Sequence, residues 1–88
     1  MRIVAKPIKV LVVFEPKDKP PLPYKFKMEG ESGELIKVIV DRIISTARSK
    51  IVGEDCFIYE CQSLIGGLEK RYQLKYIIPK CQWVLYKI

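Results

Sequence analysis

The sequence contains no histidine. Ser-His and Cys-His arrangements are therefore excluded, and so is a zinc finger with imidazole ligands. Cysteine is scarce: Cys56, Cys61 and Cys81 make an odd count with no CxxC spacing, which argues against a secreted disulfide scaffold. Cys56 and Cys61 are five apart, so a regular strand would point them to opposite faces, and all three thiols are expected to pack as small apolar groups. Neither GxGxxG nor GxxxxGK[ST] occurs; SLIGGLEK, residues 63–70, has the glycines without either pattern. No apolar run approaches the roughly 18 residues of a membrane helix. The opening MRIVAKPIKVLVVFEP is interrupted by Lys6, Pro7 and Lys9 and has no small-residue cleavage site, so it reads as the first strand of a cytoplasmic protein.

What is present is a chain of 88 residues, 49% hydrophobic and 30% charged, the composition of one globular domain over 1–88. The net charge of +6 is unevenly spread: seven Lys/Arg against two acids in 1–27, four against eight in 28–69, and five against none in 70–88. If the two basic ends meet in one sheet, they form a basic pole that attracts phosphates.

Alternation of apolar and polar residues sets the architecture. IKVLVVFEP, residues 8–16, is β-branched and reads as a strand. KDKPPLP, residues 17–23, holds three prolines and reads as a stiff extended connection rather than a PxxP ligand. PYKFKMEG, residues 23–30, places Tyr24, Phe26 and Met28 on one face and Lys25, Lys27 and Glu29 on the other. ELIKVIVDRIISTARSKIVGED, residues 34–55, has two readings. Its Val/Ile content favours a strand over 35–44 followed by a polar loop through STARSK. Leu35, Ile36, Ile39, Val40, Ile43 and Ala47 also form a helical stripe, with Ser32 to cap its start and Gly53 its end. Residues 54–65 and 68–78 alternate on either side of Gly66-Gly67, which suits a type I′ hairpin turn. That turn predicts Cys61 opposite Tyr72, Tyr59 opposite Leu74 and Phe57 opposite Tyr76 as a core layer. It sets Gln62 opposite Arg71, Glu60 opposite Gln73 and Ile58 opposite Lys75 outside. A further turn near Pro79 brings Tyr76 opposite Trp83 and Leu74 opposite Leu85. The predicted fold is all-β and mainly antiparallel, a small barrel or strongly curved sheet of about five to six strands; a helical 34–52 would make it α+β.

The stretches KPIKVLVVFEP, PPLPYKFKM and YECQSLIGGLEKRYQLKYIIPKCQWVLYKI resemble a family of short bacterial proteins of unknown function. The likeness is carried by Pro7, Phe14, Phe26, Cys61, Gln62, Tyr72, Leu74, Tyr76, Cys81, Trp83 and Leu85. It implies a small, mostly β fold and no activity, cofactor or catalytic residue to carry over.

No catalytic constellation, cofactor site or metal site is read from the residues. Glu29, Glu31, Glu34, Glu54 and Asp55 sit at expected turns, where solvated acids are the rule. The expected function is a non-enzymatic binding module. One candidate partner is single-stranded nucleic acid, bound over a basic sheet face by Lys25, Lys27, Arg71, Lys75 and Lys87 with Tyr86 as the stacking ring. The alternative is a protein-interaction or homodimer module, because Ile58, Leu64, Val84 and Ile88 fall on the same outward face as Arg71 and Lys75. No membrane role is expected.

Overall fold

A computed structural model describes residues 1–17 and 19–88. Its strands are β1 (Ile3–Pro7), β2 (Lys9–Val13), β3 (Leu22–Glu29), β4 (Leu35–Ile39), β5 (Arg42–Ile51), β6 (Glu54–Ile65), β7 (Leu68–Ile77) and β8 (Gln82–Lys87), with a short 3-10 turn at Ile78–Lys80. The fold is all-β, and every paired strand is antiparallel. The connection at 17–23 includes Asp18, which lies outside the described residues.

The strands divide into a five-stranded sheet, ordered β1-β8-β7-β6-β5, and a three-stranded sheet, ordered β2-β3-β4. No closed barrel is found among the described residues. The strand count exceeds the expectation because two segments are each cut in two. Residues 3–13 pass from one sheet to the other at Ile8, and residues 35–51 do so at Val40 and Asp41. Strands that switch sheets at such bends are the usual way to form the corners between packed layers. Ile8 N–H donates to Trp83 O at 3.2 Å and Val40 N–H to Tyr24 O at 2.9 Å, so backbone bonding continues at both corners.

The helical alternative for 34–52 is excluded, and so is the polar loop through STARSK: residues 45–50 belong to β5. Ser45, Thr46, Ala47 and Arg48 are exposed because β5 is an edge strand, and the ladder to β6 rather than burial holds them. Exposed polar side chains on an edge look like a loop in the sequence.

The β6–β7 hairpin has the predicted register at all six pairs. Gly66 and Gly67 have φ of 59° and 81°, as a type I′ turn requires. Tyr76 also meets Trp83 and Leu74 meets Leu85, although the 3-10 turn replaces a two-residue loop. Tyr59, Cys61, Tyr72, Leu74, Trp83 and Leu85 from the large sheet pack with Phe26 and Val38 from the small one. Phe26 meets Tyr72 edge-on across the layers, with centroids 5.5 Å apart and planes at 63°. The phenols buried with these rings are satisfied. The Tyr72 and Ser63 hydroxyls share a hydrogen bond of 2.5 Å, and the Tyr59 hydroxyl donates to the Pro21 carbonyl. Pro21 and Pro23 are themselves buried, which fixes the proline segment as packing rather than as an exposed ligand.

The β5–β6 hairpin turns on Val52 and Gly53, with φ of 52° and 79°. Val52 is 97% exposed, so a β-branched residue adopts left-handed backbone with no packing in return. Val52→Asn is expected to raise stability by about 1 kcal/mol, because Asn accepts that conformation at the first central turn position. Urea unfolding checks this; an unchanged or lower midpoint contradicts it.

Candidate nucleic-acid interface

Side-chain parity places each candidate residue. Phe26 points into the core, so Lys25 and Lys27 point away from it on β3. Tyr72 and Leu74 point inward, so Arg71 and Lys75 point outward on β7. Because the two sheets face each other across the core, their outward faces look in opposite directions. The six expected residues are therefore not one surface. Lys25 and Lys27 lie on the small sheet's outer face, and Arg71, Lys75, Tyr86 and Lys87 on the large sheet's outer side.

A bulge explains how Tyr86 and Lys87 come together. Gln73 pairs with Lys87 and Leu74 with Leu85, leaving Tyr86 unmatched. Two adjacent residues then stand against one, and both side chains take the same side. Lys75 Nζ lies 4.7 Å and Lys87 Nζ 5.4 Å from the Tyr86 ring centroid. These are cation–π contacts, so the ring is already engaged by two ammonium groups rather than free for a base. The bulge also shifts parity by one at the strand's end. Ile88, expected outside, instead packs against the core cluster. Of the other outward apolar residues, Val84 is buried, Ile58 half-buried, and only Leu64 exposed. Acids share this face as well: Glu60 accepts from Gln73 at 2.8 Å and Glu69 from Gln62 at 2.9 Å.

The small sheet's outer face is more strongly basic. Lys9, Lys27 and Lys37 stand directly opposite one another on β2, β3 and β4. In the next outward row Lys25 stands between Leu11 and Ile39. A second bulge leaves Tyr24 unmatched between the Leu11–Lys25 and Val12–Pro23 pairs and turns it out at 57% exposure. It was expected inside with Phe26 and Met28. Like charges directly opposite in a sheet each cost about 0.2–1 kcal/mol. Among the described residues no carboxylate comes within ion-pair distance of these four lysines; the ion pairs are Arg48–Asp55 and Lys80–Glu54, at the other end of the large sheet. Lys9 and Lys37 were missed in the sequence. Lys9 would follow from extending the alternation of Val10 and Val12 by one step. Lys37 was hidden by the undecided 34–52 segment.

Among the described residues no group of three His, Cys, Asp or Glu is placed to hold a metal ion, and no helix is long and apolar enough to cross a membrane. The three cysteines are unpaired; Cys56 and Cys61 are buried, but Cys81 is exposed. Cys81 departs from the expectation because it ends the 3-10 turn with φ of 49°, which turns it off the sheet. Burial pushes the Cys61 thiol up to about 12, with the Glu60 charge adding to it. Burial also raises the Tyr59 and Tyr72 phenols.

Compared with family models, curated proteins and solved structures, the chain matches none.

Two outcomes follow from the thiols. A disulfide reagent is expected to modify one cysteine of the native protein quickly and all three after denaturation; Cys81→Ser should abolish the fast phase. Stability should stay level below about pH 9, where unfolded Cys61 keeps its proton, and fall between there and about 12 as only the unfolded state releases it. The slope is about 1.4 kcal/mol per pH unit for each such group, and Cys61→Ala should remove one group's share in urea titrations, most cleanly between about pH 9 and 10, before the tyrosines contribute.

Proposed function

We propose that the protein is a non-enzymatic cytoplasmic binding module that holds single-stranded nucleic acid across the outer face of the small sheet. The observation that carries this is the Lys9–Lys27–Lys37 row with Lys25 beside it. Strands are about 4.8 Å apart, so the row spans about 10 Å. It presents positive charge along a line, as a flexible phosphate backbone requires. Tyr24, Leu11 and Ile39, each 57–58% exposed, offer apolar surface to bases beside the ammonium groups. A row of lysines that costs stability is best accounted for by an anionic partner that relieves the repulsion. Arg71, Lys75, Tyr86 and Lys87 form a second, mixed-charge face that adds to long-range attraction. The two sheets, joined at two corners, are read in the same proposal as a small barrel in outline, and the likeness to short bacterial proteins as family membership.

The second reading is self-association or docking of another protein, favoured by the exposed Leu11, Val13, Tyr24, Leu35 and Ile39 on that face. Two copies meeting face to face would set lysine against lysine, so self-association ranks below nucleic acid.

Fluorescence anisotropy with labelled oligo(dT) and oligo(U) at several salt concentrations tests the proposal. Four phosphate contacts predict a log–log salt slope of about −2.8. Lys9→Glu/Lys37→Glu should lose most affinity, while Arg71→Glu/Lys75→Glu should keep most of it. Lys27→Gln should weaken binding yet raise stability by a few tenths of a kcal/mol. Equal loss in both double variants, or binding confined to very low salt, would count against the face assigned here.

A further inference from the structure

The two ends of the layered core are finished differently. At the end carrying the 3-10 turn, Trp83 packs between Tyr59 and Tyr76 with centroids 5.2 and 4.9 Å away and planes tilted by 37° and 41°, and Pro21 and Pro23 are buried beside that layer. At the β6–β7 hairpin end, among the described residues, no such ring layer covers the core. There the sheets part around an open cleft of about 1330 Å³. Its floor is aliphatic: Val4, Ile8, Met28, Ile36, Ile65 and Ile88 all line it, and all are partly exposed side chains packed on the core cluster. Arg2, Lys6, Lys9, Lys27 and Lys70 stand around its mouth, against Glu29, Glu31 and Glu34 on the β3–β4 turn.

We infer that this cleft is a binding site for an anionic amphiphile, a molecule with a carboxylate or phosphate head on a single alkyl chain. The aliphatic floor takes the chain and gains by removing apolar surface from water. The head stays at the mouth beside the cations. Four of them, Arg2, Lys6, Lys9 and Lys70, stand on the sides formed by β1, β2 and the hairpin, with Lys27 on β3, while the three acids are confined to the end of β3 and its turn, so an anion has a favourable side to approach from and a cationic amphiphile does not. The phosphate strand proposed for the outer face does not reach this interior surface. Lys9 and Lys27 border both sites; Arg2, Lys6 and Lys70 belong to the cleft alone.

Isothermal titration of the full chain with sodium laurate, below its micelle concentration, tests this. Dodecyltrimethylammonium serves as the control of opposite charge. Saturable binding of one laurate per chain is expected, with the control at least tenfold weaker. Lys6→Glu/Lys70→Glu, both on exposed side chains, should weaken laurate at least tenfold while leaving oligo(dT) binding within about twofold. Methyl shifts on laurate addition should be confined to the floor, Val4, Ile8, Met28, Ile36, Ile65 and Ile88. No saturation, equal affinity for the cationic control, unchanged affinity in the rim variant, or shifts spread over the small sheet's outer face would each overturn the assignment. Because the rim variant leaves Lys9 and Lys27, which border both sites, untouched, its loss of laurate is separable from a failure of the nucleic-acid titration.

Discussion

The register of the β6–β7 hairpin is the constraint on which the rest of the molecule depends. A two-glycine turn leaves only one antiparallel pairing for the strands it joins, and that pairing sends Tyr59, Cys61, Tyr72 and Leu74 to one side together. A slip of one residue would move all of them to solvent and bring Glu60, Arg71 and Lys75 inside. With that layer fixed, β8 adds Trp83 and Leu85 at the correct height, and Phe26 and Val38 of the small sheet have a surface to pack on. The buried hydroxyls reinforce the choice. Ser63 and Tyr72 satisfy each other only in this register, and the Tyr59 phenol finds its acceptor in Pro21.

Departures from strict alternation put the functional side chains where they are. Bulges at Tyr24 and Tyr86 each set two neighbouring residues on one side of a sheet. In one case an aromatic ring is released toward solvent beside Lys25. In the other a ring is clasped by Lys75 and Lys87. The same device therefore yields one open aromatic and one engaged aromatic, on opposite sides of the molecule.

Much of the fold was legible because the hairpin carries its own turn chemistry and a clean period of two. Six cross-strand pairs follow from counting residues away from Gly66-Gly67, and two more from the turn near Pro79. What was not legible shares one cause. Bulges and sheet-switching bends have no strong residue signature. Ile88 and Tyr24 were therefore placed on the wrong sides, and the single strands expected near Ile8 and Val40 hid two corners. The candidate interface suffered most. Lys25 and Lys27 could be given a face but not a sheet, so they were joined to Arg71 and Lys75, which look the other way. The lysine row depends on β2, β3 and β4 being neighbours, a tertiary fact that no local pattern in residues 9, 27 and 37 contains.

The two corner segments also govern how the molecule comes apart. Residues 3–13 and 35–51 each contribute a strand to both sheets, and a strand cannot leave one ladder without pulling on its continuation in the other. The small sheet has only three strands, and both its outer members are tied in this way. It has no route to open by itself as a local fluctuation. The ladder-bonded amides of β2, β3 and β4 should therefore exchange through the same global opening as the hairpin core, making them as slow to exchange as those of the strands that bury the tyrosines.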